Sequence, residues 1–288
     1  MWFLFASLTA FFEACKDATG KQSLKTLDEY SVLFSFMAVG VVLMLPILWL
    51  SGGIPALQPN FWWALLIGGG LNILAFTLYV RAIKIADLSL TVPLVTLTPL
   101  FLLITSPLIV NEQPTLADAI GVVLLVIGSY VLNITPARRN IWAPLLSMAQ
   151  NPGSRLMLCV AFIWSITSNF DKIGVVNSSP LFWAMSLFAV IAGGMVPFVF
   201  WRSSSAGLTP LLSQWQLLGV TGGFNAIAIT CQMLALTIAP VAQVIAVKRM
   251  SALLSVLFGY FIFGEKGLRA RLLGASIMVS GVVLMSLR

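Results

Sequence analysis

Residues 61–72 read FWWALLIGGGLN and residues 214–225 read QWQLLGVTGGFN. Trp62 recurs as Trp215, Gly69 and Gly70 as Gly222 and Gly223, and Asn72 as Asn225, all in one register. Followed outward without a gap, 61–134 aligns with 214–287 and adds Thr77/Thr230, Ala82/Ala235, Ala86/Ala239, Glu112/Glu265, Gly121/Gly274 and Gly128/Gly281. Upstream, small shifts pair Ser35/Ser186, Ala38/Ala189, Met44/Met195 and Pro46/Pro197, and set Asp17 to Gly20 against Asp171 to Gly174. Apolar helices share alanines by chance, but matched Trp, Asn, Glu and Pro over so long an ungapped run mark a duplication.

The duplicated unit reads as a membrane unit. Hydrophobic residues make up 59% of the 288 and charged residues 9%, against about 25% charged in a soluble domain. The mean hydropathy is +1.01, so lipid is the expected solvent and apolar side chains point outward as well as inward. Charges, Pro, Gly and Asn punctuate ten apolar segments at 2–20, 30–50, 61–82, 87–110, 116–134, 156–175, 180–201, 213–236, 239–263 and 268–287. Each approaches the ~20 residues that a spanning helix needs. Met1 to Leu4 carries no charged n-region and no A-x-A-like cleavage site follows, so the first segment reads as a membrane helix. The expected organisation is a five-helix repeat over 1–135, a connector over 136–155 holding Pro136, Arg138 and Arg139, and a second repeat over 156–288.

Five helices per repeat is an odd number, so the second repeat has to enter the bilayer inverted. The loop charges agree. Arg81, Lys84 and Asp87 of the first half face Leu234, Thr237 and Pro240 of the second, while Gln113, Leu116 and Asp118 face Lys266, Arg269 and Arg271. Lys and Arg collect in loops that follow odd-numbered segments, which predicts a multi-pass protein of the cell (inner) membrane with both termini away from the cytoplasm. The fold expected is all-α and integral to the membrane, ten transmembrane helices in two inverted five-helix repeats.

Several functions are excluded by composition. Histidine is absent, and Cys15, Cys159 and Cys231 lie far apart without a CxxC. That argues against a metal site, against Ser-His-Asp or Cys-His nucleophilic catalysis, and so against an enzyme; no cofactor motif occurs. The net charge of +7 resides in short connectors and builds no basic patch with interleaved aromatics, so no nucleic acid is expected as a partner. The expected partners are a small-molecule substrate and the lipid bilayer, with a homodimer as a further option.

The two-repeat layout, the short connectors and the Gly264-Glu265 pair at the end of the ninth segment, with Asn111-Glu112 in the first half, resemble the drug/metabolite transporter superfamily in its EamA-like branch. The resemblance covers essentially the whole chain. It implies a secondary transporter with a central cavity, working by alternating access on amino acids, nucleotide sugars or phosphorylated metabolites.

An ionisable side chain inside the bilayer costs on the order of 3 kcal/mol unless a cavity or partner receives it, which makes each a functional candidate. Thr9, Glu13, Lys16 and Gly20 share one face of the first segment by helical spacing, with Asp17 beside them. Glu13, taken as a carboxylate without an adjacent base, is the preferred proton site, with Asp17 and Asp171 as further coupling candidates. Lys248 and Arg249 stand mid-depth in the ninth segment, where their first-half counterparts are the uncharged Val95 and Thr96. They form either a clamp on a carboxylate or phosphate or an internal ion pair with Glu13, Asp17 or Asp171. The pair also looks like the phosphate-binding Lys-Arg of the triose-phosphate translocators. Trp164, on one face of the sixth segment with Ser168 and Asp171, joins Asn72, Asn225 and Gln232 as substrate-site candidates; the asparagines equally suit hydrogen bonding between helices. Gly121/Gly128 and Gly274/Gly281, seven apart, read as packing surfaces for the fifth and tenth segments, whose scarce interior polarity suits a dimer or scaffold face more than a substrate path; Glu112 and Glu265 read as loop caps or gates.

The leading functional expectation is a secondary transporter of a small anionic or zwitterionic metabolite, gripped by helices 1, 3, 6, 8 and 9. The alternatives are a proton-coupled exporter of cationic drugs or metabolites using Glu13, and a flippase of a lipid-linked intermediate.

Overall fold

A computed structural model of the chain describes residues 1–24, 27–85, 92–133, 151–202, 213–263 and 268–286. Most of the expected connector, Glu265 and Lys266 lie outside the described residues. Every described element is helical: α1 (Trp2–Ser23), α2 (Glu29–Leu50), α3 (Asn60–Ile85), a 3-10 turn (Val92–Leu97) leading into α4 (Thr98–Ile109), α5 (Leu116–Asn133), α6 (Pro152–Val176), α7 (Pro180–Arg202), α8 (Trp215–Ile238), α9 (Val241–Lys248), α10 (Ser251–Phe263) and α11 (Leu268–Ser286). Among the described residues, α2, α3, α6, α7 and α8 are by length and composition long and apolar enough to cross a membrane. A helix closes its own backbone hydrogen bonds, the only open-ended solution where water is absent.

The ten expected segments all appear, but the fourth and ninth are not uniform α-helix. The fourth changes from 3-10 to α at Thr98, and the ninth turns at Arg249 and Met250 before resuming at Ser251. In the repeat register Thr98 corresponds to Ser251. Both repeats therefore change helical geometry at the same place in this helix.

Two compact units form, 1–73 with 170–238 and 74–169 with 239–288. Each draws helices from both halves of the sequence, because a helix of one repeat buries its packing stripe against helices of the other. In the first unit α1 packs on α8, and α2 on α7 and α8. Tyr30, at the start of α2, stacks on Phe198, near the end of α7, with ring centroids 5.6 Å apart. Since α2 and α7 are repeat counterparts, they run antiparallel. A methyl group on Gly69 would fall 2.7 Å from Val190, and one on Gly222 would fall 2.6 Å from Val39, the same contact made twice.

The second unit repeats that logic more tightly. A methyl group on Gly121 would lie 2.7 Å from the Gly281 carbonyl oxygen, and one on Gly128 would lie 2.7 Å from that of Gly274. Gly121 corresponds to Gly274 and Gly128 to Gly281, so exchanging the repeats turns one contact into the other. Helices α5 and α11 are thus antiparallel counterparts related by a local two-fold axis, the geometry of an inverted repeat. Backbones this close explain the glycines. The glycines of the fifth and tenth segments are packing surfaces, and they cover each other inside one chain.

Candidate functional site

The turn in the ninth segment sets the position of Arg249. Its amide still bonds back to Ile245 and Ala246, and Met250 to Val247, so the helix tightens before α10 starts. The guanidinium donates from Nη2 to Thr98 Oγ1 at 3.0 Å, and the Thr98 hydroxyl donates onward to the Val95 carbonyl at 2.7 Å. Thr98 is fully buried and opens α4, with Pro99 fixing the helix start behind it. The hydrogen bond therefore joins the ninth segment, in one repeat, to the fourth, its counterpart in the other.

An aromatic wall stands beside this bond. The Arg249 guanidinium carbon lies 6.0 Å from the centre of the Trp164 ring, within reach of the attraction between a cation and a π face. Trp164 is in turn held by Tyr79 and Phe76, each 5.7 Å away between ring centres. A cluster of Ala82, Leu94, Val95, Met157 and Val160 backs the wall. Lys248 and Arg249 are half-buried. A guanidinium bonded at one edge and lying beside an aromatic ring is a planar fork, the geometry that suits a carboxylate or phosphate.

In the first unit the acidic candidates separate. Lys16 Nζ lies 2.5 Å from Glu13 Oε1 and 3.4 Å from Asp17 Oδ1. The reading of Glu13 as a carboxylate without an adjacent base does not hold: one helical turn places Lys16 against it. Asp171, the repeat counterpart of Asp17, is buried and accepts a hydrogen bond from Trp183 Nε1 at 3.0 Å. Asp17 itself leaves 52% of its side chain exposed, so the two aspartates no longer share an environment.

The amide candidates of this unit are buried. Asn72 donates to the Gly68 carbonyl of its own helix at 2.9 Å, and Asn225 turns to Met37 Sδ on α2 at 3.9 Å. Gln232 is 3% exposed, in the packed face of α8. Geometry thus brings Arg249 to Trp164 and Thr98 in the second unit, with Lys248 its neighbour in the chain, and groups Glu13, Lys16 and Asp17 along α1 in the first.

The two repeats agree with a known sequence pattern. The sequence description of the EamA-like transporter family matches residues 1–134 and 151–287. The chain belongs to the EamA-like transporter family. Its members are multi-pass integral membrane transporters of the drug/metabolite type, not enzymes. A crystal structure shares the fold at a TM-score of 0.80 and 17% sequence identity, covering 99% of this chain and 96% of that one. Among curated proteins none is similar enough to match.

Two residues of this EamA-like transporter escaped sequence reasoning. Thr98 is a hydroxyl in an apolar run, and only the Pro99 beside it signals a helix start. Asp118, legible only as a loop charge, is 4% exposed and engages Gln243. The Glu112 expectation finds a geometry: Glu112 Oε2 accepts the Val241 amide at 2.7 Å and caps α9. Asn111 before it adopts φ +57°, a left-handed turn that Asn and Gly tolerate best. The residue at the corresponding repeat position is Gly264.

Proposed function

We propose that this protein is a secondary transporter that moves a small anionic or zwitterionic metabolite by alternating access, with Lys248 and Arg249 on the negative end of the substrate. The observation that supports the reading is Arg249 itself, a guanidinium at the tightened end of α9, bonded to Thr98 and within cation–π reach of Trp164. Irregular stretches at corresponding positions of the membrane helices of inverted repeats are where transporters hold charged ligands, and the one in the ninth segment carries the Arg249 side chain. Trp164 and Tyr79 add an apolar wall for the rest of the molecule. The protein would reside in the cell membrane with both termini outside the cytoplasm, and a homodimer would have to use a face other than the glycine face of α5 and α11.

A thermal-shift screen of the purified protein against carboxylates and phosphates identifies the ligand, since molecules that bind the folded state raise its melting temperature. Transport of that ligand in liposomes should then fall at least about tenfold in Arg249→Ala and in Lys248→Ala. Wild-type rates in folded variants would remove the pair from the site. The rival, a proton-coupled exporter of cations, predicts the opposite pattern, with Glu13→Gln abolishing transport and the basic pair tolerating change.

A further inference from the structure

Helix α9 is only eight residues long, yet it is tied at both ends to the same stretch of chain. At its far end Arg249 bonds to Thr98, the first residue of α4. At its near end Glu112 Oε2 holds the Val241 amide at 2.7 Å, and Asp118 Oδ1 accepts from Gln243 Nε2 at 2.7 Å. Glu112 and Asp118 flank the connector that leaves α4 and enters α5. So α9 lies antiparallel along α4, pinned above and below.

The near end is built to hold still. Asp118 Oδ2 accepts from the Thr115 amide at 2.9 Å and from the Thr115 hydroxyl at 2.8 Å, while Thr115 Oγ1 accepts the Asp118 amide at 3.3 Å. This reciprocal cap fixes the carboxylate before Gln243 reaches it. The Ser106 carbonyl accepts the amides of Val110 and Glu112 at 3.0 and 3.4 Å, which closes α4 and aims Glu112. Leu102, Pro114, Pro240 and Ala242 wall the small pocket around these groups, and among the described residues none that lines it is basic. Asp118 and Gln243 are both more than nine-tenths buried, so an unmade bond there is costly.

We infer that Asp118 with Gln243, and Glu112 with the Val241 amide, form a latch that fixes the depth and rotation of α9, making Gln243 and Asp118 positioning residues for the Arg249 guanidinium. The inference rests on the reading of Arg249 as the anion-binding group. A helix transmits such a constraint rigidly: slipping by one residue moves the far end about 1.5 Å and turns it about 100°, enough to carry Arg249 off Thr98 and Trp164.

The test uses the full-length purified protein and inorganic phosphate as the probe, with affinity read from the ligand-dependent melting temperature. Gln243→Leu should weaken phosphate binding about tenfold or more while its ligand-free melting temperature stays within a few degrees of wild type. Asp118→Asn should weaken binding as well, because its single amide oxygen cannot accept from both Gln243 and the Thr115 amide. Arg249→Ala should lose the response. If Gln243→Leu does not fold, Gln243→Asn, one methylene short of Asp118, takes its place under the same criterion. Wild-type phosphate affinity in the Gln243 variant, with Arg249→Ala impaired, overturns the latch. If Arg249→Ala binds phosphate as the wild type does, or the wild type shows no response, the clamp reading falls instead. The latch is then judged without ligand, by amide hydrogen exchange over 245–250: faster exchange in Gln243→Leu upholds it, and unchanged exchange overturns it.

Discussion

At the scale of single residues, chemistry in this protein is legible wherever an ionisable group interrupts an apolar run. Lys248, Arg249 and Glu13 announce themselves because a charge in lipid needs a reason. Thr98 does not, since a hydroxyl can satisfy itself on its own helix, and only folding shows that it receives Arg249. The guanidinium plane makes Arg249→Lys a severe change: a lysine keeps the charge but loses the planar fork. Transport should therefore fall nearly as far in Arg249→Lys as in Arg249→Ala, and a lysine variant at wild-type rate would show that charge alone suffices. Thr98→Val removes the anchor and keeps the shape, so substrate affinity should drop several-fold in a binding titration with little change in melting temperature. On α1, Glu13 and Lys16 are each 18% exposed in their side chains. Glu13→Gln takes from the half-buried Lys16 the carboxylate 2.5 Å away, a cost of about 1–3 kcal/mol. Thermal unfolding should show Glu13→Gln less stable than the double variant Glu13→Gln, Lys16→Met.

At the scale of elements, helix existence follows from hydropathy and helix continuity does not. The ten apolar segments and most of their ends could be read in advance, whereas the turn at Arg249 and Met250 carries neither Gly nor Pro to mark it. The glycines were visible as a seven-residue repeat, but which surface they met was not. Gly128 and Gly274 face each other's carbonyl oxygens, so Gly128→Ala should lower the melting temperature clearly, in line with the 1–3 kcal/mol typical of overpacking. Gly70 has nothing within 4 Å of an added methyl. Gly70→Ala should be neutral or slightly stabilising, since alanine is the better helix former. Equal melting temperatures for the two variants would mean that α5 and α11 are not packed backbone to backbone.

At the scale of the whole molecule, the orientation in the bilayer is open to direct measurement. In a background with Cys15, Cys159 and Cys231 replaced by alanine, a cysteine at Ala56, between α2 and α3, should react with an impermeant thiol reagent on intact cells. A cysteine at Leu24, after α1, should be protected until the cells are permeabilised. The reverse pattern would overturn the assignment of both termini to the outside. Duplication, inversion and the ten-helix membrane fold were determined by the sequence by itself, because composition, period and loop charge are additive along a chain and survive without knowing who touches whom. Only the tertiary structure decided that the compact units each mix helices of both repeats, that Arg249 meets Thr98 and Trp164, and that a buried Asp118 holds α9 through Gln243. Those are pairings between residues up to 151 positions apart in the chain. They depend on which helix faces pack together, and a hydropathy pattern, blind to the direction in which a face points across the fold, does not contain that choice.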